Sequence, residues 1–194
     1  MSTYCIHTVT NIHCCCRLSI GFSSSFTPEN AMVQSDAVIG LPQSSNQAFN
    51  YVIDSKSPQR ILQNRVGASI GEVSQSSGKT TLYFRRNLQG TSLHSLTPGH
   101  DVHMIWAYGT SNKFGNHGRS RGSTLFLLGG MCQTDEDCPT VSRCSNGVCT
   151  TGKSRRKKTS SWLSIETGAV NMAIRYMIRD KSIHFEAKCG GSVW

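Results

Sequence analysis

Hydrophobic and polar residues alternate with a period of two along most of the chain, which is the pattern of β-strands. Predicted strands cover residues 17–23, 36–41, 50–54, 79–88, 101–109 and 122–129. In the fifth of these, one face would carry Val102, Met104, Trp106 and Tyr108. Predicted loops, rich in Gly, Ser, Asn or Pro, lie at 42–48, 71–79 and 110–122. With no convincing helical period, the pattern predicts an all-β, immunoglobulin-like antiparallel β-sandwich.

The composition of the chain changes after residue 130. Residues 131–150 are polar and rich in cysteine, residues 151–160 form a basic linker, and strand alternation resumes over 161–194. Because such a short β segment cannot bury a core alone, it either needs an absent partner or completes the first domain. We predict a first domain over 1–130 with atypical opening strands, the cysteine module, the linker, and a partial second sandwich over 161–194.

Four of the nine cysteines define the central module. Cys132, Cys138, Cys144 and Cys149 are spaced C-x5-C-x5-C-x4-C. This dense, even spacing predicts a small disulfide framework formed in an oxidising compartment, and three pairings remain open. A tetrahedral zinc site is the alternative, since four thiolates can bind that metal.

The net charge of +9 is concentrated in one basic run. Five of the charges lie between residues 153 and 158, which leaves +4 for the rest of the chain. A nucleic-acid binder needs a distributed basic face with interleaved aromatic residues, so no nucleic-acid partner is predicted. We interpret the run as a solvated linker, with a dibasic processing site or a polyanion-binding patch as alternatives.

The hydrophobic content does not indicate a targeting or membrane segment. Residues 1–20 lack both a basic start and an apolar stretch, so no signal peptide is predicted there. No run of 18 apolar residues exists, so no membrane span is predicted in this chain. The cysteine content nevertheless favours an extracellular protein, or one attached to a membrane through parts outside this chain.

Five short segments occur in an order and spacing that resemble the DOMON domain family. They are LSIGFS (18–23), AMVQSDAVIGLP (31–42), TTLYFRRNL (80–88), HMIWAYG (103–109) and NHGRSRGS (116–123). Residues 161–194 are similar to the opening strands of the same domain, with Trp194 aligned to Arg17. The first domain therefore departs from the family pattern, because Arg17 stands where the family has tryptophan.

The resemblance implies a haem b site with a methionine and a histidine from opposite loops as axial ligands. The matching positions are Met32 and His117. Such a pair fills both axial positions and favours Fe(II), which suits electron transfer rather than oxygen activation. Without a C-x-x-C-H motif, the haem would be bound non-covalently. Residues predicted around it are Ile39, Phe49, Trp106 and Phe114 as pocket walls, and Arg121 as a contact of a haem propionate or of Asp36.

We therefore predict an extracellular electron-transfer module rather than an independent enzyme. Its expected partner is a fused or separate redox protein, such as a cytochrome b561-like membrane protein or a monooxygenase. The alternative is a non-catalytic module that binds carbohydrate or protein. His100 and His103 are three apart at the start of a predicted strand and would point to opposite faces, so we do not expect them to share a metal.

Overall fold

The structure is a computed structural model. The described residues are 17–23, 32–42, 46–57, 62–63, 70–88, 94, 96–115, 117, 120–129, 134–137, 142–145, 148–151, 163–165, 172–179 and 182–190. Their strands are β1 (Arg17–Ser23), β2 (Ser35–Gly40), β3 (Gln47–Ile53), β4 (Leu62–Gln63), β5 (Ile70–Ser76), β6 (Lys79–Asn87), β7 (Asp101–Gly109), β8 (Arg121–Leu127), β9 (Ser142–Ser145), β10 (Val148–Thr151), β11 (Leu163–Ile165), β12 (Met172–Arg179) and β13 (Ser182–Cys189).

Eleven of these strands form one antiparallel sheet. Its order is β11-β12-β13-β6-β5-β3-β2-β1-β7-β8, with β4 paired to β3, while β9 and β10 form a separate hairpin. The described residues contain one short 3-10 turn at Asp135–Asp137 and no α-helix. The all-β prediction is therefore confirmed. Within the same residues, no helix is long and apolar enough to cross a membrane.

The sheet curls around one apolar core, which we call the main core. Every second residue of β6, β7 and β13 points into it. Phe185 on β13 stacks on Phe84 of β6, with ring centroids 4.9 Å apart, and lies 5.3 Å from the ring of Phe22 on β1. Because four strands lie between β13 and β1 in the sheet, this contact shows how strongly the sheet curls.

The predicted strands up to residue 129 correspond to β1, β2, β3, β6, β7 and β8, and 101–109 matches β7 at both ends. The predicted core face of β7 is confirmed, since Val102, Met104 and Trp106 are buried in the main core. The prediction of a loop over 71–79 is wrong. Residues 70–76 form β5, which turns into β6 through Ser77 and Gly78, both at positive φ (50° and 74°), as a two-residue hairpin requires.

The strands after the linker lie in the same sheet as the first domain. β13 pairs with β6 over eight residues, from Ser182 opposite Asn87 to Cys189 opposite Thr80. The main core includes residues from β12 and β13, among them Ile174, Tyr176, Ile183 and Phe185. This is the arrangement expected if the tail completes the first domain, and residue 161 does not separate two sheets here. That the tail repeats the opening strands of the domain stays a prediction.

In the cysteine module, β9 and β10 place Cys144 opposite Cys149. Cys144 is disulfide-bonded, so its sulfur is not a thiolate available to zinc. Its backbone N–H donates to Asp135 Oδ1 at 2.7 Å. Cys132, Cys138, the basic run and residues 1–16 lie outside the described residues.

Candidate functional site

Strand β2 is buried on both of its faces. All six of its residues are buried, whereas β3, β6 and β7 also carry partly buried or exposed ones. Val38 belongs to the main core, while its neighbours Ala37 and Ile39 pack on the other side of the sheet. Because β2 is buried on both faces, apolar side chains must also pack on the outer side of the sheet. This outer side is therefore the candidate location of a functional site.

The outer side of β2 and β3 carries a second apolar cluster, which we call the outer cluster. Its buried members are Ala37, Ile39 and Ile53, and the partly buried Met32, Leu41 and Tyr51 pack against them. The ring of Tyr51 lies 5.6 Å from that of Phe114, which is 37% exposed. Burial in these surroundings raises the pKa of the Tyr51 hydroxyl.

Gly21 on β1 allows close packing beside the outer cluster. A Cβ at Gly21 would lie 2.9 Å from both Ala37 Cβ and Ile105 Cγ1, and 2.7 Å from the carbonyl oxygen of Asp36. No side chain fits at that position without moving backbone or strand-bound atoms. Glycine at 21 therefore lets Ala37 and Ile105 approach each other across β1.

Met32 reaches the outer cluster from the turn before β2. The turn covers residues 32–34, and the Ser35 hydroxyl donates to the Met32 carbonyl oxygen at 2.6 Å. The Met32 side chain is partly buried against the outer cluster. The structure thus places the first proposed ligand on the apolar outer side of the sheet.

His117 lies in the loop that follows β7, at the opposite end of the sheet from Met32. Its carbonyl oxygen accepts the Ser120 N–H at 3.0 Å, and the Ser120 carbonyl oxygen accepts the Tyr108 N–H at 2.9 Å, so the end of the loop returns to β7. The same loop carries Phe114, whose ring touches Tyr51. Met32 contacts the outer cluster directly, and the loop that carries His117 contacts it through Phe114.

Arg17 fixes the first part of this loop. Its Nη1 donates to the Lys113 carbonyl oxygen at 2.7 Å, with the Ser111 carbonyl and hydroxyl oxygens at 3.4 Å and 3.3 Å. Burial lowers the pKa of Arg17 below its ordinary value. The guanidinium lies over Gly109, where a Cβ would meet Arg17 Cζ at 2.3 Å. Arg17 therefore attaches the loop to β1.

Two other predicted site residues do not lie on the outer cluster. Trp106 is 8% exposed, belongs to the main core and stacks on Tyr108, so it faces the opposite side of the sheet from Met32. Arg121 is an exposed residue at the start of β8, beside Ala107. Ile39 does lie in the outer cluster, and Phe49 is its register neighbour on β3.

The predicted pairing of Asp36 with Arg121 is wrong. Asp36 is a buried residue of β2, and its Oδ1 accepts a hydrogen bond from Arg86 Nη1 at 2.9 Å. Arg86 also lies 4.8 Å above the ring of Phe22 and donates to the His94 carbonyl oxygen. The alternation in β6 could have indicated Arg86, because it shares the core-facing parity of Leu82 and Phe84.

The part of the chain that the structure describes contains no group of three His, Cys, Asp or Glu side chains able to hold a metal ion. His103 is buried in β7 whereas His100 is exposed. Comparisons with protein-family models, with curated proteins and with solved structures find no match for this chain. A function must therefore be argued from the outer cluster and from the sequence resemblance.

Proposed function

We propose that this chain is a DOMON-like electron-transfer module that binds haem b over the outer cluster, with Met32 and His117 as axial ligands. One observation carries the proposal. An apolar cluster lies on the outer side of the sheet, contains Met32, and is contacted by the loop of His117. Met32 packs against this cluster, while the loop of His117 contacts it only through Phe114 and approaches from the other end of the sheet. Ligation of one iron by both residues would therefore require the His117 side chain to move toward Met32.

The side chains around the outer cluster are of the chemical types that a haem needs. Its ring needs apolar walls, for which Ile39, Ile53 and Tyr51 are suitable side chains. Ile39 and Ile53 are buried, so haem binding would have to uncover them. Its iron needs two axial ligands, and a thioether with an imidazole gives a low-spin centre of raised reduction potential. Holding Met32 through Ser35, and the other loop through Arg17, limits the conformational entropy that binding would cost.

A haem held by Met32 and His117 would supply one-electron redox chemistry, which suits exchange with a flavin, copper or second haem centre of a partner. The protein's own part is to supply both ligands, exclude water from the ring and hold the loops. A fused or separate partner, a cytochrome b561-like membrane protein or a monooxygenase, would provide the other centre. We place this exchange outside the cell, or at the outer surface of a membrane.

A second candidate function uses the same surface. The rings of Tyr51 and Phe114 lie side by side, and Phe114 is partly exposed. Aromatic rings at a surface offer apolar faces on which a sugar ring or a partner side chain can pack. A carbohydrate- or protein-binding module would need these rings but neither proposed iron ligand.

The test is a haem titration of the purified chain, followed by dithionite reduction, in the wild type, Met32→Ala and His117→Ala. We expect a sharp low-spin spectrum in the wild type, because both axial positions are filled. Each variant should lose that spectrum and bind haem more weakly. Met177→Ala, on partly buried β12, and His100→Ala, at an exposed position, serve as controls and should behave as the wild type.

Folded protein that binds no haem at equimolar concentration would contradict the proposal. Low-spin spectra that survive both ligand variants would contradict the assignment of Met32 and His117. A carbohydrate-binding assay with Phe114→Ala, run beside the titration, decides whether the second candidate function is correct.

A further inference from the structure

The turn that carries Met32 has an unfavourable backbone conformation. Gln34 adopts a φ of 61°, in the left-handed region that residues other than glycine seldom occupy. Such a conformation persists only where neighbouring contacts hold it in place. The contacts that hold Gln34 therefore also affect the position of Met32.

His94 makes one of these contacts. Its Nε2 lies 2.8 Å from the Gln34 carbonyl oxygen, 60 positions away in sequence. A carbonyl oxygen can only accept, so Nε2 carries the proton and donates it. Ser35 holds the other end of the turn through the Met32 carbonyl oxygen. The turn is thus held by its chain neighbour and by a residue from a distant segment.

His94 is itself attached to the main core. Arg86, which is 4% exposed and paired with Asp36, donates to the His94 carbonyl oxygen. Two residues further on, Leu96 is 2% exposed, and its N–H donates to the Leu88 carbonyl oxygen at 3.0 Å. The imidazole therefore projects from an anchored backbone toward the turn.

We infer that His94 is a positioning residue, which holds the turn of residues 32–34 so that the Met32 thioether lies against the outer cluster. Its role toward haem rests on the proposed function. Its hold on the turn, in contrast, is a property of the chain without haem. Neither the resemblance nor the sequence pattern assigned this histidine a role.

The test measures the rate at which hydrogen peroxide oxidises Met32 in the haem-free chain, followed by peptide mass spectrometry. Peroxide transfers one oxygen atom to the thioether, giving the sulfoxide and water. In His94→Ala the turn opens more often, and Met32 should react about five-fold faster, the size expected for the loss of one net hydrogen bond. Met177 is the internal control, and its rate should not change.

His94→Gln is the matched variant, because its side-chain amide N–H can also donate to the Gln34 carbonyl oxygen. We expect it to restore the slow oxidation of Met32. Equal Met32 rates in the wild type and His94→Ala would overturn the inference. So would an equal acceleration of Met32 and Met177, which would indicate a general loss of stability, and so would a failure of His94→Gln to restore the rate.

A haem-free readout keeps this inference separate from the proposed function. If the wild type binds no haem, the proposed function fails, while the oxidation rates still decide the role of His94. If haem binds, His94→Ala should lower its reduction potential, because weaker thioether ligation favours Fe(II) less. An unchanged potential would overturn the role of His94 toward haem.

Discussion

Arg86 and Asp36 form an ion pair inside the main core, with 4% and 1% of their side chains exposed. Burying both charges has a large desolvation cost, so the pair adds little stability by itself. The pair does add constraints, because Arg86 also contacts Phe22 and the backbone of His94. It therefore links β2, β6 and the segment before β7 at one end of the sheet.

We predict that Arg86→Met destabilises the fold by about 3–5 kcal/mol, because it leaves the Asp36 carboxylate buried without its counterion. Chemical denaturation monitored by tryptophan fluorescence measures this change. Arg85→Met is the control at the neighbouring exposed position, and it should change the free energy of unfolding by less than about 0.5 kcal/mol. Similar effects of the two substitutions would contradict the structural role given to the buried pair.

Tyr176 joins the tail to the far edge of the sheet. Its hydroxyl accepts the Gly129 N–H at 3.1 Å and donates to the Leu127 carbonyl oxygen at 3.4 Å, so β12 contacts the chain at the end of β8. The ring also lies 5.4 Å from that of Phe126. Burial raises the pKa of this hydroxyl above its ordinary value, against the opposing effect of the Gly129 hydrogen bond.

Tyr176→Phe should destabilise the fold by about 1–3 kcal/mol at neutral pH, because the buried Gly129 N–H loses its partner. The raised pKa means that the folded state holds this proton more tightly than the unfolded state. The stability that the Tyr176 hydroxyl contributes is fully present below the unfolded pKa of about 10, and it is lost as the pH rises through the folded pKa. Unfolding titrations should show that the difference in the free energy of unfolding between the wild type and Tyr176→Phe becomes smaller in this alkaline range. A difference that widens there would contradict the account.

At the scale of elements, the tail strands are the part of the fold on which the main core depends most. β13 pairs along β6, and Phe185 is fully buried between the rings of Phe84, Phe22 and Tyr176. Without residues 172–189, one edge of β6 would have no paired strand, and one side of the main core would be exposed to solvent. We therefore expect the described sheet to depend on the tail.

We predict that a chain ending at residue 160 does not fold cooperatively, as measured by thermal unfolding followed by circular dichroism. Phe185→Ala is the milder form of the same test and should cost about 3–5 kcal/mol. Phe114→Ala is the matched control, since its ring is 37% exposed, and it should cost much less. A stable, cooperative fold for residues 1–160 would show that the tail is dispensable and would support its separation as a second domain.

The strands that could be predicted from sequence are those with strong alternation. β7 was predicted at both ends because its apolar positions repeat without interruption. β5 could not be predicted, because its sequence IGEVSQS is polar apart from Ile70 and Val73. It is a strand because its backbone pairs with β6 across the hairpin. The pairing of β13 with β6 could not be derived, since alternation does not say which distant strand becomes the neighbour.

The candidate site was predictable only in part, for a related reason. The resemblance supplied Met32 and His117, but no local pattern indicates the side of the sheet on which a loop will lie. Trp106 is an expected pocket wall from the sequence, whereas its parity on β7 places it in the main core. The sequence pattern does not indicate Tyr51 or Gly21, because their roles come from contacts with Phe114 and Ala37, which are distant in sequence.

At the scale of the whole molecule, one curled sheet has an apolar core inside and a smaller apolar surface outside. The inner core involves most strands and accounts for the stability of the fold. The outer cluster involves mainly β2 and β3, is partly exposed at Phe114, and is bordered by two loops held in place by Ser35, His94 and Arg17. The inside of the sheet therefore supplies the stability of the fold, and the outside is where we propose that binding occurs.

The most direct test of this account is the stoichiometry and spin state of haem bound by the intact wild-type chain. A titration followed by visible absorption should reach saturation at one haem per chain, and reduction should give the sharp bands of a low-spin, six-coordinate centre. A folded chain that leaves the added haem unbound, or that holds it in a high-spin form, would contradict the central claim.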